Sequence, residues 1–237
     1  MPQDDKATPE AIARTLYMAS PPIGTLADIT LRALRILGSV DIVAAEDTRH
    51  TRKLLTHHGI TRPLMSYHDH NEATQAPRIL HLLQEGKSLA LVTDAGTPGI
   101  ADPAYYLLQT LILHGIPIVP IPGPAAVITA LAVSGLPTER FVFEGFLPVK
   151  SGRRQQRLGV LAAETRTVVL YESPHRFVKL LQELITHCGP ERRLMVAREL
   201  TKHFEELVRG TTASVLEHFQ GRAIRGEFTL VLAGHPG

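Results

Sequence analysis

SLALVTDAGTPGIADP, residues Ser88 to Pro103, changes character in the middle. Its first six residues are short and mostly apolar, the pattern of a strand buried on both faces. The next ten hold two glycines, two prolines and two aspartates, which break regular structure. Pro103–His114 then reads as a helix stopped by Gly115, and Pro117–Ile121 as another strand. A strand, a long Pro/Gly loop, a helix and a second strand make the repeat unit of a parallel sheet, because parallel neighbours need a crossover.

The same alternation runs upstream. Leu16–Ser20, Asp41–Glu46 and Leu64–Tyr67 read as strands. Between them lie a helix capped by Asp28 and stopped at Gly38, and a second over Thr48–His58 ended by Gly59. A third helical stretch runs to Gln84. Pro124–Val133 is a helix with proline in its first turn, where a missing N–H costs nothing. Near Ser134–Pro137 the regime changes. Phe141–Phe146, Thr167–Tyr171, Leu194–Ala197, Phe204–Arg209 and Glu227–Leu232 read as strands, with a helix from about Pro174 to His187. The reading is an α/β fold of two domains. Residues 15–137 carry a parallel sheet with helices on both faces, residues 138–237 are mixed α/β, and residues 1–14 form a disordered tail.

The chain has 237 residues, 44% hydrophobic and 20% charged, which excludes wholesale disorder. Lys plus Arg is 25 against 23 Asp plus Glu, too balanced for a protein that coats nucleic acid over its whole surface. One cysteine, Cys188, excludes an internal disulfide and suits a reducing, cytoplasmic setting. Pro103–Thr138 carries no Asp, Glu, Lys or Arg, but its six prolines rule out a membrane helix.

In parallel sheets, ligands bind beyond the carboxyl ends of the strands. Three Pro/Gly loops fall there: Ser20–Leu26, Asp94–Pro103 and Pro122–Ala126. Glycine lets backbone approach a ligand, and proline leaves carbonyls as the exposed polar groups. Such loops suit a cation or amine donors better than a phosphate. No Gly-x-Gly-x-x-Gly follows the first strand and no P-loop occurs. His57, His58, His68, His70, His81 and Asp69 have weak spacing for a metal, and none is expected.

The motifs PIGTLADITLRAL (Pro22–Leu34), AAEDTRHTRKLL (Ala44–Leu55), SYHDHNE (Ser66–Glu72), TDAGTPGIADP (Thr93–Pro103), PIPGPAA (Pro120–Ala126), SGLPTERFVFEGFLP (Ser134–Pro148), YESPHR (Tyr171–Arg176) and ARELTK (Ala197–Lys202) resemble the tetrapyrrole methylase superfamily. Within it they resemble the branch that methylates a cytidine 2′-hydroxyl in the decoding region of 16S ribosomal RNA. The resemblance covers about Leu16 to Gly234. Pro21, Thr25, Ala104 and Ala125 depart from the usual pattern in the ligand loops.

The resemblance implies two α/β domains with a cofactor cleft between them, S-adenosylmethionine as cofactor, and a homodimer acting on 16S rRNA within the small ribosomal subunit. Position by position it implies cofactor contacts at Pro22, Gly24, Asp94, Gly99, Ile100, Asp102, Ala125, Ala126, Tyr171 and Glu172. Two alternatives stay open: a porphyrinoid C-methyltransferase, and a non-catalytic ribosome-binding protein that keeps the cofactor pocket.

Methyl transfer to a ribose hydroxyl needs alignment and a destination for a proton. Candidates are Asp47 and Arg49, set against a helix cap with a surface ion pair, together with His175 and Glu199. His175 and Arg176 open a helix, where the dipole disfavours cations, which suggests an anionic partner. RNA contact is expected from Lys150, Arg153, Arg154 and Arg157, from Arg49, Arg52 and Lys53 on one helix, and from Arg176 and Lys202. The bland reading of Glu199 and Lys202 is an internal salt-bridge network.

Overall fold

A computed structural model describes residues 11–236. The chain divides into two compact units between Ala125 and Ala126. The sequence placed the boundary twelve residues later, near Pro137. The earlier division follows from helix α5 (Ala126–Ala132), which packs on two strands of the second sheet, β7 (Thr167–Glu172) and β10 (Phe228–Leu232). Most of the tail expected over residues 1–14 lies outside the described residues. Ala11–Arg14 are not free: Ala11 N–H donates to Ser39 Oγ, Ile12 N–H to the Tyr17 hydroxyl and Arg14 N–H to the Lys87 carbonyl.

The first unit holds a five-stranded parallel sheet in the order β3 (Leu64–Ser66), β2 (Ile42–Ala45), β4 (Leu89–Val92), β1 (Leu16–Ala19), β5 (Ile118–Ile121). Alternate residues face opposite ways along each strand. Tyr17, Val43, Ala45, Ala90 and Val92 meet α1 (Leu31–Ser39) and α2 (Thr48–His57) through Ala33, Ile36, Leu37, Leu54 and Leu55. Leu16, Ala44, Leu89 and Leu91 meet α3 (Glu72–Gln84) and α4 (Tyr105–Leu113) on the other face, through Ile79, Leu83, Leu107 and Leu111. Burying each such leucine, isoleucine or valine side chain stabilises the unit by about 1.5–3 kcal/mol. Asp28 does not cap α1. Leu26–Asp28 form one 3-10 turn, and Thr30 caps instead, accepting from Ala33 N–H at 3.1 Å.

Because β1 leads to α1 on one face and neighbouring β4 leads to α4 on the other, their outgoing loops part between the two strands. That is a topological switch point, where α/β sheets bind ligands.

The second unit is a mixed sheet in the order β6 (Phe141–Phe146), β7, β10, β8 (Arg193–Arg198), β9 (Glu206–Thr211). Among the described strands of this sheet, only β6 and β7 pair in parallel. Helices α6 (Ser151–Ala162), α7 (Pro174–Cys188) and α8 (Thr212–Phe219) complete it. Its core is built from Leu158, Leu170, Leu180, Val196 and Leu230 around stacked Phe177 and Phe228. Among the described residues, no helix is long and apolar enough to cross a membrane.

Candidate functional site

Three loops leave adjacent strands β4, β1 and β5 of the first unit, and a single side chain joins them. Ser20, buried at the end of β1, has its hydroxyl 3.2 Å from that of Thr97 in the β4 loop and 3.5 Å from the Ile121 carbonyl at the end of β5. Thr97 in turn donates to the Pro124 carbonyl at 3.1 Å, and Gly96 N–H donates to the Pro21 carbonyl at 3.2 Å. Glycine is required at two of these crossings. Gly96 has φ +81°, and a Cβ there would sit 3.3 Å from Ile23. A Cβ at Gly123 would come within 2.7 Å of Ser20 Cβ and 3.2 Å of its carbonyl oxygen. The loops are cross-braced before any ligand arrives.

Pro22, Gly24, Asp94, Gly99, Ile100, Asp102 and Ala125 all lie on these three loops. Gly99 (φ +83°) and Ala101 (φ +68°) give the β4 loop two left-handed turns around Ile100, which is exposed. Only glycine adopts that conformation freely, so Ala101 carries local strain of the kind that collects at functional sites.

Carboxylates gather beside the braced loops. Asp94 N–H donates to Glu46 Oε2 at 3.3 Å, and Asp47 N–H donates to Asp94 Oδ1 at 3.1 Å, which ties the end of β2 to the end of β4. Burial raises the Asp102 carboxyl to about 7, helped by the negative charges of Glu46, Asp94 and Asp69, with a hydrogen bond from Thr93 offsetting part. Glu46 is raised as well, by burial first and then by Asp94 and Asp69. No Lys or Arg makes an ion pair with Glu46, Asp94 or Asp102 among the described residues. A cation bound among them would restore the balance. Among the described residues, no group of three His, Cys, Asp or Glu side chains is disposed to hold a metal ion.

Other sequence candidates fall differently. Asp47 caps α2, accepting from Arg49 N–H at 2.8 Å, and its carboxylate also grips the Arg49 guanidinium at 2.7 Å. These bonds depress the Asp47 carboxyl well below the usual carboxylate range. The Arg49 side chain is 87% exposed, so this pair is a cap with a surface ion pair. Arg52 and Lys53 are exposed on the same helix, as are Lys150 and Arg153 at the start of α6, and His175 at the start of α7.

Arg154 does not join the basic track. Its side chain is 4% exposed and bridges Glu172 at 3.2 Å and Glu183 at 2.7 Å. It is the α6 residue that faces inward with Leu158 and Leu161. Arg157 pairs with Glu144. Glu172, fully buried, also takes the Arg176 guanidinium at 2.7 Å and Ser173 N–H at 2.8 Å. Its side chain is committed inside the second unit, which leaves its main chain as the part that could meet a cofactor. Tyr171 accepts from Val127 N–H at 2.9 Å, next to Ala126 at the start of α5, and stacks edge-on with Phe143 and Phe146. Lys202 pairs with Glu199 and Glu227, both at 2.9 Å. Glu199 itself has φ +52° and accepts from Glu227 N–H. This is the salt-bridge network weighed for Glu199 and Lys202, with Glu227 exposed at its edge.

Sequence reasoning singled out neither Ser20 nor Thr97. A serine directly before Pro21-Pro22 carries no spacing signal, and its role appears only when β1, β4 and β5 lie side by side.

A family model described as Tetrapyrrole (Corrin/Porphyrin) Methylases matches residues 15–216. The chain is 52% identical over 219 residues to "Ribosomal RNA small subunit methyltransferase I" of Synechocystis sp., covering 92% of this chain and 78% of that one. Proteins of the same name from Xylella fastidiosa (49% over 222 residues, 93% and 81% covered) and Escherichia coli O157:H7 (48% over 222 residues, 93% and 78%) are similar. Solved structures share the fold at lower identity. The methyltransferase CobJ superposes with a TM-score of 0.69 at 20% identity, covering 93% of each chain. The cobalt precorrin-4 methyltransferase CbiF superposes at 0.66 and 21%, covering 93% of this chain and 95% of that one. With its described sheets, its braced loops and these matches across nearly its whole length, the chain belongs to the tetrapyrrole (corrin/porphyrin) methylases.

Proposed function

We propose that this protein transfers a methyl group from S-adenosylmethionine to the 2′-hydroxyl of a cytidine in the decoding region of 16S ribosomal RNA. The observation that carries the reading is the pairing of cross-braced strand-end loops with carboxylates that make no ion pair to Lys or Arg among the described residues. The cofactor fits this donor set. It carries a sulfonium and an ammonium against one carboxylate, so Asp94, Asp102 and Glu46 supply the missing sign, while the proline-rich loops offer carbonyls. Bound there, it supplies an electrophilic methyl on a positively charged sulfur.

The chain's own work is alignment. Pro22, Gly24, Gly99, Ile100 and Ala125 form the walls, and the Ser20–Thr97–Pro124 bracing holds them still. Holding the reactants in line contributes about 7–11 kcal/mol to such a reaction. Ala126, at the start of α5, and Tyr171, on β7, are proposed as further contacts. On the substrate side we place Arg49, oriented by Asp47, and His175, with Arg52, Lys53, Lys150 and Arg153 meeting RNA phosphates. Lys202 and Arg176 act through the carboxylates they hold.

A homodimer working in the cytoplasm on assembled small subunits completes the reading. An exposed apolar face on α4 supports the dimer: Tyr105, Ile112 and Leu113 are 74%, 65% and 83% exposed. Incubation with methyl-labelled cofactor and small subunits from cells lacking this protein tests the reaction. Label is expected in an alkali-resistant dinucleotide, because a 2′-O-methyl group blocks cleavage of the next linkage. The fold shared with CobJ and CbiF favours one second reading, methylation of a tetrapyrrole carbon. Label in a porphyrinoid precursor and none in RNA would establish it. Cofactor binding with no transfer to either would point to a non-catalytic role.

A further inference from the structure

The second sheet has another functional-looking edge, where β6, β7 and β8 begin and β9 and β10 end. Two adjoining grooves of about 410 and 380 Å³ cut the surface there. Arg209 lines the first, Arg140 the second, and Arg193 with Leu136 lines both, so they form one channel. Arg140, Arg193 and Arg209 are exposed, and none of them makes an ion pair among the described residues. Arg193 donates to the Gly135 carbonyl at 3.1 Å, and Arg209 to the Val133 carbonyl. Neutral carbonyls orient these guanidinium groups without cancelling their charge. Arg166 differs: it lines the channel but is gripped by Glu164 at 2.8 Å. Glu139 is the one carboxylate on the walls.

We propose that this channel is a second docking site for RNA, taking a phosphodiester backbone at a distance from the reacting ribose. The proposal rests on the reading that the substrate is ribosomal RNA. Guanidinium forks match phosphate oxygens, and among the described residues Arg193 Nε and Nη1 and Arg209 Nη1 have no hydrogen-bond partner. An acidic protein partner fits less well. Protein interfaces centre on exposed apolar anchors, and no large exposed hydrophobic side chain lines the channel. Strands β7 and β8 each run six residues, so the channel lies about 20 Å from the sheet edge that carries Tyr171. A contact at that range sets the register of a large structured RNA and leaves the chemical step alone.

The test compares the full-length chain with R140Q/R193Q/R209Q, whose amides can still donate to the carbonyls, and with the charge-retaining R140K/R193K/R209K. RNA affinity is read by fluorescence anisotropy on a decoding-region transcript across a salt titration, and methylation of small subunits is followed in parallel. The glutamine variant should lower the slope of log affinity against log salt by about three, one per lost phosphate contact. Its KM for small subunits should rise about tenfold with kcat unchanged, while the lysine variant stays near the parent. An unchanged slope and KM at an unchanged melting temperature overturn the proposal. Loss of affinity for the particle but not for the naked transcript also overturns it, in favour of a ribosomal protein. If the glutamine variant melts early, Arg140→Glu alone decides, since Arg140 holds up no described contact. Should the parent chain methylate no RNA, the functional reading fails separately, and the slope, which needs no turnover, still judges the channel.

Discussion

The two units treat their carboxylates in opposite ways. In the second, Glu172 has no exposed surface and is met by Arg154 and Arg176, with Glu183 on the far side of Arg154. In the first, Asp102, Glu46 and Asp94 crowd one another with no Lys or Arg ion pair to any of them among the described residues, and Asp102 is lifted to about 7. Matched charge is architecture: removing either partner leaves the other stranded. Unmatched charge raises the free energy of the empty protein, and a ligand of opposite sign recovers it. The contrast separates carboxylates that hold the fold from carboxylates proposed to meet the cofactor, although both sets sit in motifs of similar appearance.

The largest effect should come from breaking the matched side. Arg154→Met leaves Glu172 buried with half its partners and should cost about 3–5 kcal/mol of stability, read from urea unfolding. A loss near zero would mean that Arg154 is free for RNA after all. Next is the bracing of the unmatched side. Gly123→Ala drives a methyl group into Ser20 and should cost about 1–3 kcal/mol, with a fall in cofactor affinity by calorimetry. Unchanged affinity would separate the bracing from the site.

The third test sharpens the electrostatic contrast. A cation favours the ionised form of Asp102, so binding expels its proton wherever the free carboxyl is protonated. Affinity for S-adenosylmethionine should therefore weaken as pH falls below about 7 and level off above it. The demethylated product, a neutral thioether, should show a flatter profile. The unliganded protein follows the opposite sign. The raised carboxyl stabilises the fold fully below its ordinary value of 3.8, and that contribution disappears as pH climbs to about 7. Asp102→Asn should remove the pH dependence and weaken binding about tenfold at neutral pH, or 1.4 kcal/mol. The smallest effect should be Asp47→Ala, which removes an N-cap and costs about 1 kcal/mol. A fall in kcat far beyond that would give Asp47 a catalytic part that its capping geometry does not require.

Most elements were legible because their signals are local. Phe141–Phe146 is a strand as read, and Thr48–His57 a helix within one residue, since apolar period, cap and stop residues sit within a few positions of each other. Asp28 was misread because any Asp before an apolar run looks like a cap, and only the 3-10 turn over Leu26–Asp28 hands that role to Thr30. The three strand-end loops were legible as breaks from proline and glycine density. The α6 cations were not separable by sequence: Lys150, Arg153, Arg154 and Arg157 form one run, yet 3.6 residues per turn aims Arg154 inward.

The order of residues alone determined the alternation of strands and helices, the three Pro/Gly loops and the family motifs, because each depends on neighbours in the chain. Tertiary structure alone decided which charges are spent and which are open. Glu172 and Arg154 lie 18 positions apart, Ser20 and Thr97 lie 77 apart, and Arg193 shares a channel with Arg140 and Arg209 only once the second sheet has assembled. Charge acts through space and burial, and neither is written in sequence separation.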